Sequence, residues 1–380
     1  MLDGVRVLDA TRLLPGGFCT MLLADMGAEV IKVEEPGLGD YMRLTPPLQR
    51  GRSPVHAMVN RNKMSIGLNL KSREGKAILR ELLRKSDVFI EGFRPGAMSR
   101  LGFSFADVKR VNPRIIYCSI SSYGSANPLS SMPGHDLNFQ AMSGVLRDLK
   151  EPHVPLVQLG DLSSAMYAAV GILGALASRR KSAIFVDVPI VQSLISWLVI
   201  PVAAFTVTKT PPTHGHSLVF GSDARYNLFR TGDKKLVAVA AIENEFWHNL
   251  LVILGLPELE GARSETYREK EALRKSLAKK FATKTRDEWA GILMGKETCA
   301  TPVLDIEEVL SSRWAKASGI LERSIGKSSS VLSLPLHFVP ELRARYERAP
   351  ALGEHTSVIM KRLGRSPREI RELKSQGVLQ

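Results

Sequence analysis

Short apolar runs alternate with stretches of helical period through the first half of the chain. Val5–Leu8, Glu29–Val33, Met64–Leu70, Asp87–Ile90 and Ile115–Ile120 are too short for helices and rich in branched residues, which predicts strands. Between them Gly16–Met26 reads as a helix. Arg73–Leu83 gathers Ala77, Leu79, Leu82 and Leu83 onto one amphipathic face. This strand–helix–strand rhythm predicts a parallel, doubly wound α/β sheet. A long helical stretch follows Asp161 through Ala165, Ala168, Leu173 and Leu176. Ile184–Val188 then reads as a buried strand and Val191–Val199 as an apolar helix.

Beyond Pro201 the pattern changes. The loop Pro211–His216 holds two prolines and two histidines, Tyr226–Ala241 alternates as strands do, and residues 265–294 form one charged helical stretch. Residues 215–320 therefore read as a smaller second domain. Ser328–Ser330 reads as a linker, and a helix returns after Pro350. A chain of 380 residues is long enough for two domains of this kind.

Composition narrows the functional classes. Apolar residues make up 44% and charged residues 24%, the balance of an ordinary globular protein. The longest apolar candidate, around Leu194–Phe205, is interrupted by Pro201 and too short to cross a bilayer, so no membrane span is expected. The opening residues show no basic segment leading into an apolar one, and a cytoplasmic setting is expected. Cys19, Cys118 and Cys299 are too few and scattered for a disulfide framework and read as small core residues. Neither Cys-x-x-Cys nor His-Glu-x-x-His occurs, so no metal is expected. The net charge of +14 first suggests nucleic acid, but aromatics are only 6% and the basic residues are dispersed. No nucleic-acid partner is expected. Solvated helix faces and a site for a small polyanion remain the two uses for the charge.

Three residues stand out chemically. Asp161 follows Gly160 at the start of a helix. It reads either as a cap for free backbone N–H groups or as a nucleophile or proton acceptor beside them. Those same N–H groups offer to polarise a substrate carbonyl. His135, in Pro-Gly-His-Asp-Leu-Asn, is a loop histidine or a group titrating near neutral pH, with Asp136 as N-cap of a helix through Leu146. Glu243, after the run Leu236–Ile242, is a surface carboxylate or an orienter of an imidazole. No Gly-x-Gly-x-x-Gly or Walker loop appears.

The order of several blocks resembles the family III CoA-transferases, and most of all their alpha-methylacyl-CoA racemase branch. They begin with Leu2-Asp3-Gly4-Val5-Arg6-Val7-Leu8-Asp9, Met26–Glu34 with Gly39-Asp40 and Arg43, and Asn60-Arg61-Asn62-Lys63. Ile90-Glu91-Gly92-Phe93-Arg94-Pro95-Gly96 with Arg100-Leu101-Gly102 is the most specific. Gly134-His135-Asp136, Gly160-Asp161, Arg286–Trp289 and Leu352–Thr356 follow.

The resemblance implies a Rossmann-like large domain over residues 1–200, completed by 325–380, and a smaller α/β domain over 215–320. It implies an intertwined, ring-like homodimer acting on an acyl-CoA, with no cofactor beyond the substrate's coenzyme A. Carried over by position, the coenzyme site comprises Leu68, Asn69, Leu70, Lys71, Gly92, Phe93, Arg94, Arg100, Gly134, Asp136, Leu137, Asn138 and Phe139. Arg100 and Lys71 suit phosphate pairing.

In the racemase branch the residues at 161 and 135 exchange the α-proton through an enolate, with Glu243 supporting the histidine. In the transferase branch the aspartate attacks the thioester and carries CoA between carboxylic acids. Transferases usually lack histidine at 135 and show a glycine run in the small domain; Val219–Tyr226 has none. The expected activity is therefore racemisation of 2-methylacyl-CoA thioesters, with CoA transfer as the alternative. Glu35 stands where several members carry an arginine, Asn69 replaces a frequent acidic residue, and the turn at Arg179–Ser182 is shortened.

Overall fold

In a computed structural model that describes all residues except 149–152, 179–180, 212–220, 263–265, 324–329 and 340–345, six strands form one parallel sheet. They are β1 (Arg6–Asp9), β2 (Glu29–Glu34), β3 (Lys63–Gly67), β4 (Val88–Glu91), β5 (Ile116–Ser121) and β6 (Ile184–Pro189). Their order is β3-β2-β1-β4-β5-β6. Val7 lies opposite both Val30 and Val88, and Cys118 opposite both Ile90 and Val186. Alternation along each strand feeds two cores. Val7, Val30, Val88, Ile90, Cys118 and Val188 pack with Leu23, Ala165, Ala168 and Ile172. Leu8, Ile31, Phe89 and Tyr117 pack with Leu79, Leu83, Val108, Ile359 and Ile370. Both faces of the sheet are thus covered by helices, as its near-continuous apolar strands require.

The described residues fall into two compact units, Met1–Leu198 with Lys316–Gln380, and Val199–Ala315. In the second unit β7 (Tyr226–Arg230), β8 (Leu236–Ala240) and β9 (Ala300–Pro302) make an antiparallel sheet. It closes over Trp247, Leu250, Leu277, Phe281 and Trp289. The loop at Pro211–His216, the turn at Arg179–Ser182, the start of Val219–Tyr226 and the linker at Ser328–Ser330 lie wholly or partly outside the described residues.

Several elements differ from the sequence expectation, each for a local reason. The charged stretch 265–294 is two helices, Tyr267–Phe281 and Arg286–Leu293, because Thr285 caps the second in a box with Glu288. The apolar stretch Val191–Val199 divides into Ile190–Ile195 and the start of Val199–Thr208. Strand β3 stops at Gly67, and Leu68 instead makes an isolated bridge to Leu379. Cys19 and Cys118 are buried, but Cys299 is exposed and held at φ 47°. One described helix, Leu159–Ala177, has the length and hydropathy to cross a bilayer. It packs Ala165, Ala168 and Ile172 into the first core. The expectation that Leu194–Phe205 is the longest apolar stretch therefore gives way to this helix.

Candidate active site

The candidates of the first unit follow the strands whose carboxyl ends they extend. Leu68–Lys71 continue from β3, Gly92–Arg94 from β4, and Gly134–Phe139 from the loop after β5. Asp161 sits in the crossover helix Leu159–Ala177 that leads to β6.

Asp161 is not the cap of its helix. Gln158 holds that position, and Asp161 is the third helical residue. The cap is supplied across the chain by Asp136, whose Oδ1 accepts from the N–H of Gly160 at 2.7 Å and of Asp161 at 3.1 Å. Gln140 donates from Nε2 to the other oxygen of Asp136 at 2.6 Å and to Val157 O at 3.2 Å. A Cβ at position 160 would lie 3.0 Å from Asp136 Oδ1 and 3.2 Å from both Ile190 and Leu194, so glycine is what admits the carboxylate. Two N–H groups expected to be free for a substrate carbonyl are therefore taken.

Asp136 is correspondingly not the cap of its own helix. His135 precedes Asp136–Ser143, and the Asn138 side chain accepts from the His135 N–H at 3.1 Å. That helix ends at Ser143 rather than Leu146, because Gly144 turns the chain at φ 90°. His135, Leu137 and Asn138 are exposed, while Phe139 is buried edge-on against Tyr123. Gly134 lies beneath Phe139, whose ring would be 2.6 Å from a Cβ there. Thus one carboxylate, Asp136, ties the turn carrying His135 to the helix carrying Asp161.

The electrostatics of this pair are unequal. Burial pushes the Asp161 carboxyl up to about 7, and the neighbouring charge of Asp136 adds to the rise. Among the described residues no cation lies within ion-pair distance of Asp161. A carboxyl balanced near neutrality both gives and takes a proton at working pH.

The remaining coenzyme candidates divide by accessibility. Leu68 is buried, its N–H donating to Glu34 O at 2.8 Å. Asn69 accepts from the Lys71 N–H at 3.0 Å, and Leu70 is half-buried. Lys71 is exposed and donates to Glu35 Oε1 at 2.9 Å. Glu91 fixes the next loop by accepting from the Phe93 N–H at 2.8 Å. Gly92, Arg94 and Arg100 are exposed. No carboxylate among the described residues lies within ion-pair distance of Arg94 or Arg100. Glu243 belongs to the second unit, where it is the exposed N-cap residue of the helix Asn244–Leu254, after β8 has ended at Ala240. Among the described residues no three His, Cys, Asp or Glu side chains gather closely enough to hold a metal ion.

The profile of CoA-transferase family III matches residues 2–356 of the chain. The chain belongs to the family III CoA-transferases. Human alpha-methylacyl-CoA racemase is 33% identical to it over 100% of this chain and 97% of that protein. Human succinyl-CoA:glutarate CoA-transferase is also 33% identical, over 100% of this chain and 90% of its own. A solved CAIB/BAIF family structure from Brucella suis shares 26% identity and superposes with a TM-score of 0.83, over 95% of this chain and 99% of that one. The protein is thus a family III enzyme, racemase or CoA-transferase, of α/β fold. Two features of its site were not read from the sequence. They are the cap given by Asp136 to a helix that starts 23 positions later and the contacts of Arg12.

Proposed function

We propose that the protein racemises 2-methylacyl-CoA thioesters by exchanging the α-proton. The observation that carries this reading is the shared anchor: Asp136 fastens the turn of His135 to the helix start of Asp161. His135 and Asp161 are then the two acid/base groups, one for each face of the α-carbon. His135 or Asp161 removes the α-proton to leave an enolate of the thioester. The other returns a proton to the opposite face, which inverts the carbon. Glu243 keeps the role that the family resemblance gives it, support of the histidine. An Asp161 carboxyl raised to about 7 suits both directions, since each enantiomer needs one group deprotonated and the other protonated.

This reading takes the large domain as Rossmann-like, the working state as an intertwined homodimer and the setting as cytoplasmic. It requires no metal or redox group. Incubation with 2-methylacyl-CoA in heavy water is expected to place deuterium at the α-carbon, and His135→Ala to abolish that incorporation. Full exchange by His135→Ala, or none by the wild type across a broad panel of thioesters, contradicts it.

The second reading is CoA transfer, favoured by the 33% identity to a human transferase. Here the Asp161 carboxylate attacks the acyl carbon and CoA thiolate leaves. The thiolate then attacks the resulting anhydride to give an aspartyl-CoA thioester and free acid. Hydroxylamine or borohydride would trap the acylated Asp161, visible in the intact mass. A carboxyl raised to about 7 is only partly ionised at neutral pH and so the poorer nucleophile, which is why proton exchange is preferred.

A further inference from the structure

The order of the sheet reverses between β1 and β4. At such a point the loops leaving neighbouring strands part to opposite sides and open a crevice at the carboxyl edge. Thr11, just past β1, and Gly92, just past β4, meet there: a Cβ on Gly92 would lie 3.9 Å from Thr11 Cβ. The next residue, Arg12, spans the two sides. Its Nη1 donates to Tyr41 Oη at 2.8 Å and its Nη2 to Glu35 Oε2 at 3.0 Å. Its guanidinium carbon lies 4.9 Å from the centre of the Tyr41 ring and 5.5 Å from that of Phe93.

Glu35 gives its other oxygen to Lys71 at 2.9 Å. Lys71 first, and Arg12 after it, hold that carboxyl below its usual range. One carboxylate therefore stands between two cations, and the cluster keeps an excess positive charge. Two rings, a phenol and a carboxylate are enough to fix the guanidinium, yet they use only two of its five N–H donors. A fixed, partly unsatisfied fork beside a crevice is matched to the paired oxygens of a phosphate.

We propose that Arg12 is a phosphate-binding residue for the nucleotide end of coenzyme A, and that Glu35, which holds it in place, also restrains the affinity. This rests on the acyl-CoA reading and adds to it a residue and a brake. The phosphate oxygens take free N–H groups of Arg12. Glu35, at the same guanidinium, opposes them as a like charge.

The test is equilibrium binding of coenzyme A, dephospho-coenzyme A and pantetheine to the wild-type protein, Arg12→Gln, Arg12→Lys and Glu35→Gln. Arg12→Gln is expected to weaken both nucleotide ligands by roughly 10-fold or more, the loss of a charge-assisted hydrogen bond, and to leave pantetheine unchanged. Arg12→Lys falls between, keeping the charge without the fork. Glu35→Gln tightens both nucleotide ligands several-fold, a gain that no folding defect produces. Equal weakening of all three ligands by Arg12→Gln, unchanged coenzyme A binding, or weaker binding by Glu35→Gln overturns the proposal. Wild-type protein that binds none of the three overturns the acyl-CoA reading itself, and Arg12's role with it.

Discussion

Asp9 ends β1 with no exposure, surrounded by two ammonium groups and two hydroxyls. Lys63 lies 3.4 Å away and Lys32 3.7 Å, while Thr11 and Thr20 donate at 2.6 and 2.7 Å. Asp161 is half-buried, and the charge that acts on its carboxyl is a second carboxylate, Asp136. Burial raises both carboxyls. At Asp9 the lysines and hydroxyls outweigh it and hold the group below its usual range. At Asp161 nothing opposes it, and Asp136 pushes the same way, to about 7. The first arrangement is a permanent charge that fastens β1 to β2 and β3. The second is a proton waiting to be moved. Burial alone does not mark a reactive carboxylate; the sign of its neighbours does.

The sharpest way to break this contrast is to neutralise each carboxylate in turn. Asp161→Asn is expected to cost roughly 10²- to 10⁴-fold in turnover, the range for losing an acid/base group. Its unfolding midpoint should stay level or rise, since a strained carboxyl is removed. Asp9→Asn should do the reverse. It leaves the buried Lys63 without a carboxylate, while Lys32 keeps Asp40 at 2.9 Å, and costs about 3 kcal/mol in urea unfolding. Equal stability losses in both variants would erase the distinction.

The pH dependence separates the two next. The Asp9 carboxyl is depressed in the fold, so its stabilisation is full above the unfolded value near 3.8 and fades as pH falls through the folded one. The Asp161 carboxyl is raised, so the unfolded chain sheds this proton first. Its contribution to stability therefore declines as pH climbs from about 4 to 7 and is flat above. The difference in stability between wild type and Asp161→Asn, followed across that window, should grow with pH in the variant's favour.

Asp136→Asn gives the smallest effect. The amide oxygen still caps Gly160 and Asp161, but the amide nitrogen now faces the Gln140 Nε2 donor, so stability should fall by about 1 kcal/mol. Removing the charge lowers the Asp161 carboxyl, and the acid limb of the activity profile should shift to lower pH. An unmoved limb would take Asp136 out of the electrostatics.

Much of the sheet was legible because branched runs such as Ile115–Ile120 suit few structures other than buried strands. What escaped was set by partners far along the chain or by weak local signals. Asp136 before an apolar helix reads as that helix's cap, yet its oxygens serve Gly160 and Asp161. The polar opening with Gly160, Asp161, Ser163 and Ser164 hid only where the helix Leu159–Ala177 starts, two residues before Asp161. The box at Thr285–Glu288 is legible within the longer charged run and divides it. Arg12 carries no motif; only the meeting of the loops after β1 and β4, with Tyr41 and Phe93 beside it, gives it meaning.

The central claim is that Asp161 moves a proton. Deuterium incorporation at the α-carbon of a 2-methylacyl-CoA in heavy water, followed from pH 5 to 9 in the wild type and Asp161→Asn, tests it most directly. The account predicts exchange in the wild type with an apparent pKa near 7, and its loss in Asp161→Asn. An acyl adduct on Asp161 with no deuterium at the α-carbon would contradict it.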